Sequence, residues 1–321
     1  MHKKCHEAFL LTIYLVLTGI WFGFWLKLAP VELREVIMKK FFERQIEELE
    51  RLIEDNPNDP SLHKDLGNLF YRTDALFLAL EEYRTALFIS PEYFEAQYNL
   101  GNVYFKLKKP YKAIIAWMEA LILNPKLESA RFNIGFAYFN LGEYDDALLE
   151  FRRASHIAPD SADTYFYQGM CEFEMGHYTK AVAAYMRALE LDGDNEETLY
   201  NLGNALYEDE RFEDALHYYS KAQSFNQDDY HTHNNIADCL ISLDRVSEAQ
   251  QHIEKVLRLR ADFAPAHCTQ AELYMKQGKI DLAIDSFNEV ITLTGKLRQD
   301  NGINMLHKYA SDMIHSLSQD V

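Results

Sequence analysis

Residues 128–161 read ESARFNIGFAYFNLGEYDDALLEFRRASHIAPDS, and the framework of this thirty-four-residue stretch recurs on both sides. With its positions numbered 1 to 34, Gly135 stands at 8, Tyr138 at 11, Ala147 at 20, Phe151 at 24, Ala154 at 27 and Pro159 at 32. Steps of thirty-four put Ala79, Ala113, Ala147, Ala181, Ala215, Ala249 and Ala283 at position 20. They put Gly67, Gly101, Gly135, Gly169, Gly203, Ala237 and Ala271 at position 8. A fixed period of this length marks a repeat array, in which each unit buries its apolar face only against its neighbours.

The period predicts an all-α chain with seven repeats, 60–93, 94–127, 128–161, 162–195, 196–229, 230–263 and 264–297. In each, positions 1–14 and 15–28 both show helical periodicity, and Pro91, Pro125 or Pro159 marks a link between repeats. Gly142, Gly176 and Gly278 mark the turn inside the repeat, and Pro110 opens a second helix. Each unit is therefore an antiparallel helix pair. Glycine within a helix costs about 1 kcal/mol relative to alanine, so its recurrence at position 8 points to a close helix approach. Alanine at position 20 lies across that approach, and large residues at position 24 (Tyr83, Trp117, Phe151, Tyr185, Tyr219) fill space between units. Residues 31–59 read as a linking helix and half-repeat covering one end of the stack, and 298–321 as a sealing helix with Ile303, Leu306, Ala310, Met313 and Leu317 on one face.

LGNLFYRTDALFLALEEYRTALFISP and NLGNVYFKLKKPYKAIIAWMEALILNP, with the alignments above, resemble the tetratricopeptide repeat (TPR) family over residues 60–297. Repeats four to seven drift, with Gly193, Gln227, Ala261 and Gly295 where position 32 carries proline in earlier repeats. The resemblance implies a right-handed superhelical α-solenoid whose first helices line a concave groove through positions 2, 5, 9, 12 and 13. Those positions bring Phe132, Phe136 and Phe139 of repeat three and Phe166, Met170 and Phe173 of repeat four to one face, with Asp163, Glu174, Glu197 and Glu208 as an acidic rim. Two readings follow: a groove that takes an apolar or aromatic segment flanked by basic residues, or rings packed on one another by the curvature of the array. Asn99, Asn133, Asn201 and Asn235 at position 6 are candidates for a ladder that holds a peptide backbone, since an amide side chain both donates and accepts. Lys64, Asn68 and Asn99 match the first part of the family's carboxylate clamp, but Glu128 and Asn133 stand where its second basic pair would be, which argues against it.

The chain has 321 residues, a formal net charge of −18 and 48% hydrophobic residues. So acidic a balance argues against nucleic-acid partners, which need a basic footprint. Residues 190–214 concentrate it, with Arg211 as their one arginine, as a solvated face or as a landing patch for a basic partner. Cys5, Cys171, Cys239 and Cys268 form no paired motif. No phosphate loop, nucleophile elbow or zinc motif occurs, and His231 and His233 are wrongly spaced for helical metal ligands. No enzyme, metal, cofactor or small-molecule substrate is expected.

Residues 9–26, FLLTIYLVLTGIWFGFWL, carry no charge and are followed by Lys27. A helix of that length rises close to about 27 Å, so residues 1–30 read as a tail and a single uncleaved transmembrane anchor. A cleaved signal peptide fits less well, because the run is long and no A-x-A site follows. Flanking charges and lone thiols point to opposite sides of the membrane for the repeats. The combined expectation is a membrane-tethered scaffold or assembly factor that binds a protein or peptide, with a chaperone or a regulatory subunit of an envelope enzyme as alternatives.

Overall fold

The computed structural model describes residues 30–296 and 301–319, and among them there are sixteen α-helices and no strand. In chain order these are α1 (Val31–Asp55), α2 (Pro60–Arg72), α3 (Leu76–Ile89), α4 (Phe94–Lys106), α5 (Pro110–Leu123), α6 (Glu128–Leu141), α7 (Tyr144–Ile157) and α8 (Ala162–Glu174). Then follow α9 (Tyr178–Asp192), α10 (Glu196–Glu208), α11 (Phe212–Gln223), α12 (Tyr230–Ser242), α13 (Val246–Leu259), α14 (Ala264–Lys276), α15 (Ile280–Gly295) and α16 (Asn301–Gln319). Pro60 and Pro110 stand in the first turns of α2 and α5, where a missing N–H leaves no bond unmade. Asp59, Asn195 and Asp229 cap α2, α10 and α12 by accepting from backbone N–H groups.

The chain forms two compact units, one up to Ala130 and one from Arg131. In the first, α2 packs on α3, α4 packs on both α3 and α5, and α1 lies on α2. In the second, α8 pairs with α9, α10 with α11, α12 with α13 and α14 with α15. There α16 lies on α15, with Ala310 fully buried and Leu306, Met313 and Leu317 packed around Phe287.

The seven position-20 alanines are all 0% exposed. What stands over the position-8 glycines is more specific than a facing helix. It is the ring at position 24 of the same repeat. A Cβ on Gly169 would lie 2.7 Å from Tyr185 Cδ1, and one on Gly203 would lie 2.6 Å from Tyr219 Cδ1. Position 24 therefore fills space inside its own unit. The turn is also more regular than its glycines suggest. Position 15 takes a left-handed conformation in all seven repeats, at Asp74, Lys108, Gly142, Gly176, Glu210, Asp244 and Gly278. The geometry of the helix-to-helix turn demands it, whatever the side chain.

The membrane localisation expected from the N-terminal sequence is corrected. Among the described residues no helix is long and apolar enough to cross a bilayer. Residues 9–26, on which that expectation rested, lie outside the described residues.

Candidate peptide-binding groove

The aromatic residues of α6 and α8 converge on Tyr167. Its ring centroid lies 5.5 Å from Phe132, 5.3 Å from Phe136, 5.8 Å from Phe139 and 5.4 Å from Phe166, all edge-on, and stacks on Phe151 at 5.4 Å. Phe166 also meets Tyr185, and Phe173 meets Tyr178. Met170 packs on the cluster built around Val182, Tyr185 and Leu202. Each of these six groove candidates is half-buried. Edge-to-face pairs of this kind contribute about 0.5–1.5 kcal/mol each beyond their area, so these partly exposed rings also carry packing.

The asparagines separate into two kinds. In the second unit Asn235 donates to Asn204 Oδ1 at 3.0 Å and to the Tyr200 hydroxyl at 3.1 Å, while the Tyr219 hydroxyl donates to the same Asn204 oxygen at 2.7 Å. The first unit holds the same triad. Asn99 donates to Asn68 Oδ1 at 2.9 Å, and the Tyr83 hydroxyl donates to it at 2.7 Å. Position 9 of one repeat thus ties its own position-24 hydroxyl to position 6 of the next. Asn201 instead donates to the Glu197 carbonyl of its own helix at 2.8 Å, and Asn133 is half-buried on α6. The sequence carried a signal for the triad: asparagine at position 9 coincides with a hydrogen-bonding side chain at position 24 in Asn68/Tyr83, Asn102/Trp117 and Asn204/Tyr219.

Three clefts in the second unit bring several of the expected residues together. One of about 610 Å³ is bordered by Asn195, Glu197, Tyr200, Asp229 and His231. One of about 110 Å³ joins Asp163, Phe166, Tyr167 and Glu197. One of about 240 Å³ joins Phe173, Glu208 and Asn235 with Tyr207 and Asp238. Asp163, Glu174, Glu197 and Glu208 are all exposed, and Glu174 lines none of the three. Asp238 was not foreseen. Burial pushes its carboxyl up to about 7, with Glu272 adding to the rise and a hydrogen bond from Thr269 opposing it. Asn234 donates to its Oδ2 at 3.0 Å. Position 9 hence runs Phe136, Met170, Asn204, Asp238, Glu272 through the second unit, from apolar to acidic.

Among the described residues no three His, Cys, Asp or Glu side chains are grouped to hold a metal. His231 meets Tyr230 and Phe263, while His233 is buried against His252. Cys171, Cys239 and Cys268 are buried free thiols, each pushed up to about 12 chiefly by desolvation, which keeps them protonated and unreactive.

Family models described as tetratricopeptide repeat match residues 94–127, 129–161, 196–229, 230–263 and 264–296, and a TPR repeat model matches 78–108 and 171–210. The chain belongs to the tetratricopeptide repeat family. It is similar in fold to a tetratricopeptide repeat protein from Parabacteroides merdae (18% identity, 83% of this chain and 99% of that one, TM-score 0.56). It is likewise similar to PilF of Pseudomonas aeruginosa (18% identity, 67% and 97% covered, TM-score 0.55). A third likeness is YrrB, described as a TPR protein with an unusual peptide-binding site (20% identity, 61% and 98% covered, TM-score 0.50). No curated protein matches it significantly.

Proposed function

We propose that this TPR protein is a non-catalytic interaction scaffold whose second unit binds a protein segment carrying apolar side chains and Lys or Arg. The observation that carries the reading is the sharing of cleft walls by half-buried rings and exposed carboxylates. Phe166 and Tyr167 lie beside Asp163 and Glu197, and Phe173 and Tyr207 lie beside Glu208. An apolar side chain seated against the rings would be followed or preceded by a cation on the rim. YrrB's peptide-binding site supports a peptide as the class of ligand for this fold. Asn201, whose one described bond lies within its own helix, is better placed to meet a peptide backbone than Asn99 or Asn235, which hold the repeats together.

A peptide array probed with the purified chain tests this. It should select peptides that combine aromatic or aliphatic residues with Lys or Arg. Glu197→Lys with Glu208→Lys should weaken binding several-fold and reduce its salt dependence, as rim charges do. Selection of acidic peptides, or unchanged binding by Phe136→Glu with Met170→Lys in a folded protein, would refute it.

A further inference from the structure

The outward face of the second helix follows a rule in most repeats and breaks it in the first two. Position 29 is polar in repeats three to seven, at His156, Glu190, Ser224, Arg258 and Thr292. In repeats one and two it is Phe88 and Ile122, which are 89% and 78% exposed. On α5 the exposed side chains Ile115, Met118 and Ile122 stand at i, i+3 and i+7, a single stripe. On α3 the exposed Phe77 and Phe88 bracket Glu81 and Arg84 at i, i+4, i+7 and i+11.

We propose that this face of α3 and α5 is a two-fold self-association interface, its occupant being the same face of a second copy of the chain. Two observations select that occupant. The first is area. Taking about 200 Å² for a large apolar side chain, the exposed fractions of Phe77, Phe88, Ile115, Met118 and Ile122, summed over the two helices, amount to on the order of 700 Å². A typical monomer's largest patch is roughly 300–600 Å², while a stable dimer buries about 800 Å² per partner.

The second is charge complementarity under one symmetry operation. The thirty-four-residue repeat makes α3 and α5 corresponding helices, with Glu81 and Arg84 in register with Ile115 and Met118. A two-fold axis across both helices, midway along their stripes, sets α5 antiparallel to its copy, with Ile115 against Met118 of the other chain. A shift of thirty-four residues carries the same axis to the midpoint between Glu81 and Arg84. Glu81 of each copy then meets Arg84 of the other, whose Nη2 also donates to the Tyr104 hydroxyl of its own chain at 2.9 Å, and Phe77 meets Phe88. A parallel arrangement would lose both opposite-charge pairs. An isologous contact needs a self-complementary patch, and this one is.

Light scattering on the full 321-residue chain during size exclusion tests the pairing. The expected result is a concentration-dependent dimer of the 37.5 kDa chain. Ile115→Lys, at an exposed site, should leave helix content unchanged and raise the dissociation constant about tenfold or more. Glu81→Arg and Arg84→Glu should each weaken the dimer, and the two together should restore it. A monomer at every concentration overturns the proposal and leaves the face to residues 9–26 or to another protein. A dimer indifferent to Ile115→Lys overturns it too, as does a double charge variant weaker than both singles.

Discussion

Asn201 and Asn204 lie one turn apart on α10 and have different duties. Asn204 receives both the Tyr219 hydroxyl and the Asn235 amide, so Asn204→Leu takes the acceptor from the buried Tyr219 hydroxyl, leaves Asn235 only its hydroxyl partners, and should cost about 1–3 kcal/mol in urea denaturation. Asn201→Ala removes one bond within its own helix and should change stability by about 0.5 kcal/mol or less. A large loss at Asn201 would make it structural and remove it as a ligand contact. The glycines admit a similar contrast. In Gly203→Ala the new methyl would stand 2.6 Å from the buried Tyr219 ring, and overpacking of about 1–3 kcal/mol outweighs the helix propensity gained. In Gly135→Ala the nearest ring atom is 3.0 Å away, so the loss should be smaller.

A histidine pair and one carboxyl give stability opposite pH dependences. The Nδ1 atoms of His233 and His252 are 2.9 Å apart, one donating and one accepting. Burial, then the facing His233, pushes His252 down to about 4, and burial lowers His233 as well. Between the unperturbed 6.5 and about 4 the unfolded chain binds more protons than the folded one. The pair's stability is therefore present above 6.5 and lost as pH falls, and His252→Gln should flatten that slope in thermal melts. Asp238 has the other sign. With its carboxyl raised from 3.8 to about 7, stability present below 3.8 is lost as pH rises through 7. Asp238→Asn should raise the melting midpoint near about pH 8 and leave it little changed near about pH 4.

At the scale of the element, the turn between paired helices is the informative one. A side chain in the left-handed region costs roughly 1–2 kcal/mol, and Glu210 accepts that conformation at φ 58° with no glycine to ease it. Glu210→Gly should thus stabilise by about 0.5–1 kcal/mol after the added freedom of the unfolded chain is counted. Gly142→Ala, at φ 78°, should destabilise by about 1 kcal/mol, with open space around it ruling out a clash as the cause. Chemical denaturation of the two variants checks both signs. Identical signs would mean that the turn geometry is not what sets them.

At the scale of the molecule, a repeat array is stabilised by nearest-neighbour interfaces, so damage at one end stays near it. Ending the chain at Lys296 removes α16 and uncovers Phe287 and its neighbours. Hydrogen exchange should then rise in α14 and α15 and stay unchanged in α2 to α5. Uniform loss of protection would contradict the nearest-neighbour account.

The thirty-four-residue period settled the helix pairs, the buried position-20 alanines and the crowded position-8 glycines, because a helix face is a matter of spacing along one chain. The same sequence could name Phe132, Phe136 and Phe139 as facing one way. It could not say that they close around Tyr167, because that depends on where the neighbouring helix sets its own ring. Tertiary structure likewise decided which asparagines are consumed in triads, why the Asp238 carboxyl is raised and that Ile115 and Ile122 stand uncovered. Each depends on residues of other helices, and burial and hydrogen bonding exist only once those residues meet.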